Sequence, residues 1–162
     1  MDLSIEVRMP NTPLTRGEAS NIVAEEMTRA TETGLNMVLQ SMLPLVPIDR
    51  GLLRGGFQTQ LLPGPTGILG RVFNPLAHAL PQEAGAKPHF PPIAALEGWV
   101  RRKLSVAEKD VRSVAFLVAR AIAKRGLPAR EFAKRGVEMA RPRVLQAFAQ
   151  ARARIVARLG GS

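Results

Sequence analysis

The sequence predicts an α+β protein: a long N-terminal helix, a small antiparallel β-sheet with a hairpin, and a helical C-terminal half. Three observations carry this. Residues 16–42 place apolar side chains at helical spacing, two β-prone runs flank Pro63-Gly64-Pro65-Thr66-Gly67, and the patterns after Pro92 are helical in period. With 162 residues the chain suits one domain, read as 1–140, followed by a basic helical extension over 141–162.

Residues 3–8 alternate Leu3, Ile5 and Val7 with Ser4, Glu6 and Arg8, the pattern of a short strand. Pro10 and Pro13 end it. Thr15-Arg16-Gly17-Glu18 has capping-box spacing and opens the long helix, which Pro44 closes. Val46-Pro47-Ile48-Asp49-Arg50-Gly51-Leu52-Leu53-Arg54 then reads as a helix-to-strand corner. Pro47 disfavours helix at Val46, Asp49 can cap its own turn, and Gly51 can take positive φ without steric cost. The proline-rich hairpin turn predicts a loop longer than two residues. Residues 75–92, with five prolines, predict a long loop and not one regular element.

Pro91-Pro92 start the next helix, whose stripe is Ile93, Leu96, Val100 and Leu104, with Trp99 beside it and expected to be largely buried against the hairpin. Ser105-Val106-Ala107-Glu108 is a second capping-box spacing. Val111, Val114, Ala115, Val118 and Ile122 form the core face of the helix that follows, ended by Gly126. A further helical pattern spans 129–140. Pro142 is expected to kink or restart it, with Val144, Leu145, Phe148, Ile155 and Leu159 as the stripe beyond.

A hydrophobic content of 46% excludes wholesale disorder. No run approaches the roughly 18 apolar residues of a membrane span, so no membrane role is expected. The N-terminus lacks the apolar core of a secretory leader, and zero cysteines leave no disulfide or thiolate chemistry, which together fit intracellular synthesis. The net charge is +10, and from Arg120 to Ser162 eleven Lys or Arg face two Glu. Such an excess attracts nucleic acid or acidic protein surfaces.

Chemistry is sparse. His78, Glu83 and His89 share the long loop, but their spacing matches no compact metal site. The glycines of 51–70 lack the GK[ST] of a phosphate loop. No catalytic residue, metal or cofactor is expected. Candidate contact residues for neighbouring molecules are Arg50, Arg54, His78, Glu83 and His89 around the corner and loop. The basic tail adds Arg141, Arg143, Arg152, Arg154 and Arg158, which could follow phosphates or dock on acidic protein. Low aromatic content, 4%, argues against a base-stacking single-strand binder. A helix-turn-helix over 92–104 and 106–125 offers little base-reading chemistry near Val106.

Four separated motifs, in order, carry a resemblance. Pro47, Asp49, Gly51, Leu53 and Arg54 form the first, and Asn74, Ala77, Glu83 and Gly85 the second. His89, Pro91, Pro92, Leu96, Trp99 and Val100 form the third, and Ile122 to Phe132 the fourth. In these the chain resembles the tail-completion, or head–tail joining, proteins of long-tailed bacteriophages, the family similar to the minor tail protein Z of phage lambda. The family often has Tyr-Ala where this chain has Leu76-Ala77, and residues 140–162 fall outside the shared pattern. The resemblance implies a non-catalytic virion protein of the neck, present in the host cytoplasm during assembly. It would form a homo-oligomeric ring, as a hexamer, between the head-closure or connector proteins and the tail-terminator or tail-tube proteins. DNA would pass through that ring. A stand-alone basic nucleic-acid-binding protein is the alternative.

Overall fold

Helical spacing of small and apolar side chains makes Glu18–Met42 one helix, α1, of 25 residues. In the computed structural model, which describes residues 2–8, 17–64 and 67–160, its cap is Gly17 at φ 73 with no side-chain cap bond. The Thr15–Glu18 capping box expected there, like Pro10 and Pro13, lies outside the described residues and side chains. A 3₁₀ turn, Leu43–Leu45, ends the helical run at Pro44, and Val46 is extended, as the residue before a proline prefers. The architecture is α+β.

Residues 1–46, 56–75 and 132–162 make one compact unit, and 47–55 with 76–131 a second. The first unit holds a three-stranded antiparallel sheet in the order β1-β3-β2, from β1 (Asp2–Arg8), β2 (Gln58–Gly64) and β3 (Gly67–Phe73). The ladder of the hairpin reaches Gly64↔Gly67, so only Pro65 and Thr66, both outside the described residues, intervene. The loop is shorter than its prolines suggested. Pro63 is accommodated because β2 is an edge strand, where a missing N–H costs no ladder bond.

The N-terminal strand pairs with β3 from Asp2↔Phe73 to Arg8↔Gly67. Gly70 of β3 lets α1 approach closely: a Cβ there would sit 2.6 Å from Thr31 Cγ2. Buried Thr31 satisfies its hydroxyl by donating to the Met27 carbonyl at 2.8 Å.

On its other side α1 packs against α6, Phe132–Gly160. Contacts run antiparallel, with Gly136 against Met42, Val144 against Gly34, and Arg154 against Glu26. Phe132, fully buried, meets Phe57 edge-on at 6.0 Å. Burying side chains such as Leu35, Val38, Met42 and Phe132 contributes about 1.5–3 kcal/mol each. Pro142 neither restarts nor ends this helix. It lies on the exposed face with Glu138, whose carbonyl loses its helical partner where water can replace it. Residues 141–160 thus continue the helix begun at Phe132. Leu145, expected in the stripe, is 61% exposed.

The second unit comprises α2 (Leu52–Gly55), α3 (Ala79–Ala84), α4 (Ile93–Leu104) and α5 (Val111–Arg125). Its core joins Val100, Val111 and Ala115, with Ile93, Leu96, Val106 and Val114 packed on them. Leu104 is exposed, because α4 ends there and Ser105 turns left-handed at φ 49. Trp99, expected inside, is 37% exposed.

Candidate functional site

The corner folds around Gly51, whose φ of 80 lets the Gly51 carbonyl accept from Gly55 N–H at 2.8 Å and start the one-turn helix α2. Leu53 buries, whereas Arg50 and Arg54 stay exposed. Asp49 reaches far beyond its own turn. Its carboxylate takes both Nε and Nη2 of Arg102, with Nε donating to Oδ1 at 3.1 Å. Lys103 Nζ donates to the Ile48 carbonyl at 3.0 Å. The basic last turn of α4 therefore grips the corner. Hydrogen bonding from Arg102 is the main reason that Asp49 is held below the usual carboxylate range and Arg102 is raised in turn.

Glu108 is likewise not a capping-box partner. Arg101 grips it through two nitrogens, at 2.9 and 2.7 Å, which lowers the glutamate and raises the arginine. Glu108–Asp110 forms a 3₁₀ turn and α5 begins at Val111 with Asp110 as its cap.

The segment 75–92 is not loop throughout, since α3 occupies Ala79–Ala84 with Pro81 inside its first turn. Beyond it, Gly85 (φ 76) and Gly126 (φ 71) flank a two-bond bridge. Ala86 N–H donates to the Leu127 carbonyl at 3.0 Å and Leu127 N–H to the Ala86 carbonyl at 2.8 Å. Arg130 and Glu131 N–H groups add bonds to the Gln82 and Glu83 carbonyls, each at 3.1 Å. Glu83-x-Gly85 and Gly126-x-Pro128-Ala129, some forty residues apart in sequence, thus share one backbone junction.

His78 is exposed at the start of α3, and Glu83 is half-buried. His89 is exposed, its Nδ1 donating to the Lys87 carbonyl at 2.8 Å. Among the described residues no group of three or more His, Cys, Asp or Glu is arranged to hold a metal.

In the first unit, Arg154 and Arg158 meet acids of their own chain. Arg154 Nε donates to Glu26 Oε2 at 2.8 Å, and Arg158 Nη1 reaches Glu25 at 3.0 Å and Glu26 at 3.1 Å. Arg143 donates to Ser41 Oγ at 2.6 Å. Among the described residues Arg141 and Arg152 have no ion-pair partner and are exposed. The tail was expected to follow phosphates or dock on acidic protein; three of its five arginines find partners on α1.

Sequence reasoning missed the outer face of α5. Phe116 and Leu117 are exposed there, Phe116 lying 6.0 Å from the exposed ring of Phe90. Ile93, Arg112, Ser113, Phe116 and Leu117 line a shallow groove. The signal was present in the sequence as Arg112, Phe116, Arg120 and Lys124 at i, i+4 spacing, opposite the buried stripe. Comparison with protein-family models, curated proteins and solved structures finds no match to this chain.

Proposed function

We propose that the chain is a structural assembly protein of the bacteriophage neck, a ring-forming tail-completion or head–tail joining component without catalytic activity. The observation that carries this reading is the ordered motif series, whose members take defined backbone roles. Gly51 turns the corner, and Glu83-x-Gly85 meets the Gly126-Leu127-Pro128-Ala129 loop in the two-bond bridge. The large apolar side chains left on the surface of the same unit, among them Phe90, Trp99, Phe116 and Leu117, support a role in contacts with other molecules. Heterologous contacts that close by rotation give rings, and a hexamer is the expected size. The neighbours would be head-closure or connector proteins on one side and tail-terminator or tail-tube proteins on the other, in the virion neck. Assembly would take place in the host cytoplasm, with DNA passing through the ring.

Native mass spectrometry with and without double-stranded DNA tests it. A closed ring of defined size, formed alone or on mixing with candidate neck partners, supports the reading. A monomer that shifts only with DNA supports a nucleic-acid-binding protein instead.

A further inference from the structure

We infer that the outer face of α5 is a docking site for a polypeptide segment that is both apolar and acidic, supplied by a different protein. The helix carries Arg112, Arg120, Lys124 and Arg125 and no acidic residue. Among the described residues none of these four is in an ion pair. Between them Phe116 is 44% exposed and Leu117 58% exposed, both lining the groove with Ile93. The geometry asks for two things at once: apolar groups for the groove and negative charge along its rim.

Three other occupants fit less well. A second copy of this chain offers little concentrated negative charge, because several of its described carboxylates are already engaged. Asp49 holds Arg102, Glu108 holds Arg101, and Glu25 and Glu26 hold Arg158. Among the described residues Glu32, Asp110 and Glu138 stand outside any ion pair, on three separate elements. DNA would satisfy the arginines and leave Leu117 and Ile93 uncovered. A membrane surface would find few apolar groups to take up, since the other face of α5 is fixed in the core through Val111, Ala115 and Ile122.

The site adds a partner class to the neck reading and rests on it only in taking the partner to be a neighbouring component. The assay below reads binding, not ring formation, so either can fail alone. The probe is a labelled synthetic helix with a leucine stripe flanked by glutamates, compared by fluorescence anisotropy with a scrambled peptide of the same composition. Phe116→Ser with Leu117→Ser should weaken binding at least about tenfold. Arg112→Gln with Arg120→Gln should weaken it and flatten its dependence on salt. All four side chains are exposed, and circular dichroism with thermal unfolding verifies that the variants fold. Equal binding of the scrambled peptide, or parent-like binding by the serine pair, overturns the site. So does displacement of the peptide by double-stranded DNA or by phosphatidylglycerol vesicles with the same loss in the variants.

Discussion

Arg154 and Glu26 lie 128 residues apart in the chain, yet the arginine Nε donates to the glutamate Oε2 at 2.8 Å. The glutamate is only 3% exposed. Arg158 shares it at 3.1 Å and Arg29 lies 3.7 Å away, so one nearly buried carboxylate sits among three guanidinium groups. Without them it would be an uncompensated charge against a helix–helix contact.

Glu26→Gln is therefore expected to lower the thermal midpoint more than Glu25→Gln, whose side chain is half in water. The hydrogen bond from Arg154, ahead of the other effects, holds Glu26 below the ordinary glutamate range. A depressed folded value means the contribution is complete above that range, near pH 4.3, and is lost as pH falls through the folded value. Thermal unfolding from pH 7 down to 3 should show the parent losing stability more steeply than Glu26→Gln. Parallel curves would remove this role.

Gly51 and Gly126 separate two costs of adding a side chain. At Gly51, φ is 80 and no atom lies within 4 Å of an added Cβ, so Gly51→Ala should cost about 1 kcal/mol from backbone conformation alone. At Gly126, φ is 71 and the Cβ would collide with the Ala86 carbonyl oxygen and approach Lys87 C at 3.1 Å. Gly126→Ala should cost distinctly more in urea unfolding. Equal losses would contradict the tight bridge.

Asp49 and Arg102 are expected to behave as a pair. Asp49→Arg or Arg102→Asp alone places two like charges at the corner, whereas the double exchange restores one of each. A double-mutant cycle by thermal unfolding should show partial recovery. Additive losses would mean that the corner is held by Lys103 and the backbone alone.

Trp99 should emit at a wavelength between buried and free tryptophan and be quenched by acrylamide, in keeping with 37% exposure. A blue shift on formation of a complex would place it within a contact. Emission typical of a fully enclosed ring in the isolated protein would contradict the exposure.

Periodicity made the helices legible, because α1, α4 and α5 each bury a regular stripe, and turn chemistry located Gly51 and Gly126. Side-chain partners were not legible. Asp49 and Glu108 had spacings suited to local caps, but a guanidinium fifty-three residues away, or seven, competes better for a carboxylate than a backbone N–H does. The arginines of α6 looked unneutralised because Glu25 and Glu26 sit at the other end of the chain. Pro142 does not restart the helix, for a different reason: its cost depends on whether the freed carbonyl meets water, which sequence does not specify. Trp99 lies next to the apolar stripe of α4, and adjacency on a helix does not fix which side of the core edge a residue takes.

The first unit is built from both ends of the chain, with α1 seated between the sheet and α6. During translation, α1 is made about ninety residues before its partner helix begins. Leu35 can meet β3 once Gly70 has been made, but Gly34, Ser41 and Met42 must wait for Gly136, Arg143 and Val144. Contacts of such long sequence separation close slowly. A nascent chain stalled before residue 132 would hold α1 without α6 against it, its apolar surface open to chaperones or to aggregation, while the segments of the second unit, 47–55 and 76–131, would already be complete.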